Sequence, residues 1–154
     1  MRATTAYAEM GAPGDNGGMD EENEFEGWTH EELLLEGARR FNAGLFFEAH
    51  EAWEEVWLDS TRELRFFYQG LIQVAAAFVH LQRNEYPGTV KLLHEGLRKL
   101  EAYPSPTLGV DLAALTKASR AVEAQVIAAG EKGLRGIDLA SLPRIEMQTQ
   151  VQDG

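Results

Sequence analysis

The chain reads as an all-α protein: a compact antiparallel bundle of about five helices behind a flexible acidic N-terminal extension. Apolar residues recur at helical spacing through most of the 154 residues. No stretch alternates apolar and polar residues over strand length. The polar connections between the periodic segments are short, which makes consecutive helices antiparallel neighbours. With 44% apolar residues the chain builds one core and folds without a disulfide or a structural metal.

Each element follows from local chemistry. Residues 1–27 hold glycines, a proline and seven acids against Arg2 alone, with no apolar period, and predict the flexible acidic extension. The bundle domain is expected over residues 28–130. Thr29 followed by Glu32 is a capping box for the first helix, whose inward face is Leu33, Leu34, Gly37, Ala38 and Phe41. That helix closes near Asn42–Gly44. The second is FFEAHEAWEEVW, Phe46 to Trp57, ending near Asp59. Ser60 or Thr61 is expected to cap the third, which is apolar on nearly every side and belongs at the centre. Gly70 inside that helix implies a close helix contact. Pro87 suits an early position of the fourth helix, which buries Val90, Leu93, Leu97 and Leu100. The fifth, about Asp111 to Ala129, turns Leu112, Leu115, Ala118, Val122 and Val126 inward. Residues 131–154 lose the period and form a strap or tail, with Ile137 to Leu142 docking. A faint internal echo places Phe46 and Ala49 in register with Tyr86 and Thr89, 40 residues on, in the grammar of a helical hairpin.

Composition narrows the function. The net charge is −11, and a nucleic-acid or anionic-membrane surface needs the opposite sign. Without cysteine there is no thiolate metal site, iron–sulfur cluster or cysteine nucleophile. Residues 1–27 lack an apolar run behind a basic start, and the expected location is the cytoplasm. No phosphate-cradling glycine loop, dinucleotide fingerprint or Ser–His–Asp order is present.

One stretch carries chemistry. At about 100° per residue the second helix puts Phe46, Ala49, Trp53, Val56 and Trp57 on one stripe, and Glu48, Glu51 and Glu55 in solvent. His50 falls inside the apolar stripe and Glu54 on its edge, one turn on, close enough to share a proton or a metal. HEAWE resembles the start of a zinc-protease motif with Glu54 where the second histidine belongs. On the third helix Arg65, Gln69, Gln73 and His80 form a polar stripe that would complete a pocket if it met His50 and Glu54. A histidine in an aromatic stripe is more often a core residue with a satisfied hydrogen bond, and polar stripes between helices also set register.

The pattern F-x-x-A-H-E-x-W-E-x-x-W followed by Q-G-L-I-Q resembles the domain of unknown function 309 family, over about Leu33 to Tyr103. The resemblance implies a compact helical bundle and marks His50, Glu51, Glu54, Trp57, Gln69, Gly70 and Gln73 as motif positions. It implies no activity.

The expected function is therefore a binding or interaction module with a polar inter-helix pocket formed by His50, Glu54, Trp57, Gln69, Gln73 and His80. Its partner is a protein or a small molecule, or a second copy of the chain in a homo-oligomer. The alternative is a metal-dependent hydrolase that holds a divalent ion on His50, Glu54 and His80. Otherwise no cofactor is expected.

Overall fold

The structure is a computed structural model that describes residues 23–148. Five helices follow in order: α1 (His30–Asn42), α2 (Phe46–Leu58), α3 (Arg65–Gln82), α4 (Tyr86–Leu100) and α5 (Leu112–Gly133). Each packs on the next in the chain, and α3 against α4 is the most extensive pairing. No strand occurs among the described residues; two isolated bridges join Val110 to Thr107 and to Met147. Of the expected extension, residues 1–22 lie outside the described residues. Residues 24–27 form a turn that buries Phe25, with the Arg40 guanidinium 5.3 Å from its ring centre. The apolar side chain, hidden among acids in the sequence, is what docks this turn.

The first turn of α1 is closed by the capping box: Glu32 N donates to Thr29 Oγ1 at 3.0 Å, and Thr29 N donates to Glu32 Oε1 at 2.9 Å. The five residues expected on its inner face are buried. On α2, Ala52 joins the expected stripe, and Trp57 is only half-buried. The third helix starts at Arg65, later than a Ser60 or Thr61 cap would place it. Thr61 instead closes a separate turn, accepting from Leu64 N at 3.3 Å on its hydroxyl. From Phe67 to Leu81 nearly every α3 residue is buried, which makes it the central rod. On α4 the stripe rotates slightly: Thr89, Leu92 and Gly96 are buried beside Leu93, Leu97 and Leu100, while Val90 is half-buried. On α5 Ser119 faces inward in place of Ala118, which is exposed. The helix persists to Gly133 across a break at Gly130, where φ is +72°.

The chain then makes two 3-10 turns and returns as a strap. Asn42 at the end of α1 clamps it, donating to Ile145 O at 2.9 Å and accepting from Ile145 N at 2.7 Å. Ile145 and Leu134 are buried, and Ile137 and Leu142 pack on the core. No helix among the described residues is long and apolar enough to cross a membrane.

The internal echo is a repeated hairpin. Helix α1 ends at Asn42 and α3 at Gln82; Gly44 and Asn84 both take positive φ, +81° and +63°; α2 begins at Phe46 and α4 at Tyr86. The closing hydrogen bonds match, Leu45 N to Arg40 O and Glu85 N to His80 O, each 2.9 Å.

Candidate functional site

Two glycines set how closely the central helices approach. A Cβ on Gly70 would stand 2.8 Å from Leu100 Cγ and 3.1 Å from Gly96 O; one on Gly96 would stand 2.9 Å from Gly70 O. Helices α3 and α4 therefore touch backbone to backbone at this crossing, as the lone Gly70 implied. Residues flanking the crossing are drawn close enough for their polar ends to meet.

Gln73, one turn beyond Gly70, is 1% exposed and turns towards α4. Its amide bridges two residues of opposite charge: Gln73 Nε2 donates to Glu95 Oε1 at 3.3 Å, and Lys99 Nζ donates to Gln73 Oε1 at 2.9 Å. Glu95 and Lys99 stand one turn apart on α4, so a single buried amide satisfies both signs. Burial pushes the Lys99 ammonium below its usual pKa; Glu95 pulls it back up and Arg98 adds to the fall. Lys99 and Glu95 also line a cleft of about 560 Å³, together with Phe66, Arg98, Ala102 and Tyr103. Phe66 is 54% exposed, an unusual state for a phenylalanine beside a core.

His80 also turns to α4. Its Nδ1 lies 2.6 Å from Glu85 Oε1, and a Cβ on Gly88 would meet that same nitrogen at 2.6 Å. Since a carboxylate only accepts, Nδ1 carries the proton. Nε2 is buried and makes no hydrogen bond.

On α2, His50 is fully buried, with Nε2 3.1 Å from Glu54 Oε1 and its ring 5.5 Å from that of Phe47. The i, i+4 spacing thus brings these two side chains together. It did not locate the rest of the expected pocket. Gln73 and His80 answer to α4 residues, while His50 pairs within its own helix. Among the described residues no group of three or more histidines, aspartates or glutamates is arranged to hold a metal ion, and His50, Glu54 and His80 do not form such a set. The reason is geometric: His80 lies at the C-terminal end of α3 and is held there by Glu85 and Gly88. Gln69 and Trp57 are half-buried, Arg65 is exposed, and Trp57 Nε1 makes no hydrogen bond. His30 and His94 are surface residues paired with Asp59 at 3.0 Å and Glu123 at 3.3 Å.

Sequence reasoning missed Glu95 and Lys99. Their i, i+4 spacing was visible, but such pairs are common on solvated helix faces. Only the close approach of α3 and α4 brings this one to Gln73.

Residues 34–92 match the model of a family described as a domain of unknown function, DUF309. The matched segment is 59 residues long, under half of the chain. It contains His50, Glu54, Trp57, Gln69, Gln73 and His80, and stops short of Glu95 and Lys99. An uncharacterised protein of Aquifex aeolicus (strain VF5) is 32% identical over 82 residues, 53% of this chain. The chain spans about a quarter of the length of that curated relative. Of the residues lining the α3–α4 cleft, Phe66 alone lies within the matched segment.

Proposed function

We propose that this chain is a binding module whose site is the α3–α4 cleft, and that it takes a carboxylate group carried beside an aromatic or apolar group. The ligand is a small molecule or a protein segment with that chemistry. The observation that supports this reading is the Gln73 amide held between Glu95 and Lys99 at the cleft. It fixes the ammonium against an apolar wall instead of leaving it free in solvent. A half-desolvated cation attracts an anion more strongly than a solvated one, because water screens it less. Arg98 adds a second positive charge at the same cleft, in a protein whose net charge is −11. Phe66 and Tyr103 offer the apolar wall that a ring would cover. In the same reading the protein is cytoplasmic, and His50 with Glu54 orders α2 without chemistry of its own.

The test is thermal unfolding with a panel of aromatic carboxylates, their neutral amides, and short acidic peptides containing phenylalanine. A ligand that binds only the folded state raises the melting temperature with concentration. Aromatic carboxylates are expected to stabilise the wild type, and Lys99→Gln is expected to remove the effect. Equal stabilisation by the neutral amides, or an undiminished effect in Lys99→Gln, would contradict the proposal.

A further inference from the structure

A second pocket, of about 630 Å³, opens where α1, the start of α3, the 107–111 loop and the C-terminal strap meet. Its walls are apolar, formed by Leu34, Leu35, Leu64, Leu108 and Met147. Leu35 and Leu108 are 43% and 48% exposed, so the walls reach the surface. The size falls within the usual ~300–1,000 Å³ of small-molecule clefts.

An apolar wall alone names no ligand; Tyr68 does. It lines this pocket and is 2% exposed, and its hydroxyl makes no hydrogen bond to any described residue, while it is not among the fully buried side-chain atoms that lack a partner. Tyrosine hydroxyls in a largely apolar setting usually find a partner, and one that keeps a little accessible surface at a pocket is open to an acceptor there. Burial also raises the Tyr68 pKa to about 12, so the phenol keeps its proton at neutral pH and acts as a donor. The charges around the pocket decide the rest. Among the described residues no lysine or arginine lines it, and Glu31 does, so a carboxylate or phosphate would find no counter-ion there and one repelling neighbour. His30, the other titratable lining group, is engaged by Asp59 at 3.0 Å.

We infer that this pocket binds a neutral small molecule with an apolar chain or ring and one acceptor oxygen, such as a ketone, ester or amide, which accepts from the Tyr68 hydroxyl. The site is separate from the α3–α4 cleft in residues and in ligand charge, so each stands or falls alone.

The experiment is an amide NMR titration of the full chain with 2-octanone, with octanoate as the anionic comparator. Saturable shifts are expected at Leu35, Leu64, Leu108 and Gly109 with the ketone, and binding at least severalfold weaker with octanoate. Tyr68→Phe keeps the ring and removes the donor, and should weaken the ketone by about three- to tenfold, the value of one net hydrogen bond. Leu35→Trp, a change at an exposed wall position, should block the pocket and abolish the shifts. Tighter binding of octanoate, unchanged affinity in Tyr68→Phe, or no saturable shift at those amides would each overturn the inference.

Discussion

The indole of Trp53 occupies the space that a side chain on Gly37 would need, and its Nε1 donates to Leu34 O at 3.2 Å. The contact joins α1 to α2 through a ring that is fully buried and has nowhere to move. Gly37→Ala is expected to destabilise the fold by about 1–3 kcal/mol or more, although alanine is the better helix former, because overpacking a rigid core outweighs propensity. Urea unfolding would show the midpoint fall; an unchanged midpoint would mean the indole can yield.

The crossing of α3 and α4 makes the same argument with backbone on both sides. A Cβ at position 96 would stand 2.9 Å from Gly70 O and 3.0 Å from Val74 N, and neither atom can rotate away. Gly96→Ala should cost about 1–3 kcal/mol. It should also push α4 outward, releasing Gln73 from Lys99. A normal Lys99 side-chain signal in a destabilised Gly96→Ala protein would uncouple the crossing from the site.

Acid should weaken the protein through Glu36. The Arg39 guanidinium, hydrogen-bonded to both Glu36 oxygens, holds this carboxyl at about 2 against an ordinary 4.5; burial opposes the fall and Arg40 adds to it. The folded value lies below the unfolded one, so the stabilisation is present above about pH 4.5 and disappears as pH drops towards 2. Arg39 is largely exposed, and solvent screening limits the effect to at most about 1 kcal/mol. In Glu36→Gln the stability gap from wild type should be visible at pH 7 and close near pH 2. A gap independent of pH would assign the loss to packing.

The lowered pKa of Lys99 has a chemical consequence, since the neutral amine is the nucleophile. With limiting acetylating reagent at pH 8, Lys99 should react severalfold faster than Lys91, Lys117 and Lys132, as read by peptide mass spectrometry. Slower reaction at Lys99 would mean that its hydrogen bond to Gln73 shields it.

Helical periodicity made the fold legible because each helix buries one continuous face; the inner faces of α1 and α2 and the central position of α3 all follow from spacing. The capping box at Thr29 and the close approach at Gly70 were legible for the same reason, each resting on one residue type in one local geometry. What spacing could not convey was rotation about each helix axis relative to its neighbour. Ala118 against Ser119, and Val90 against Leu92, differ by a fraction of a turn. The same rotation carried Gln73 and His80 to α4, so the residues predicted as one pocket serve different partners. Thr61 misled because a hydroxyl that caps a helix caps a simple turn equally well. Tyr68 gave no signal, since an aromatic in a buried helix reads as packing until its hydroxyl is seen without a partner.

Binding at the α3–α4 cleft is tested most directly by where a ligand of the proposed class sits. In an amide NMR titration with N-acetylphenylalanine, saturable shifts are expected centred on Phe66, Gln73, Glu95 and Lys99, reduced in Lys99→Gln. Shifts centred instead on His50 and Glu54 would place the binding site on α2 and contradict it.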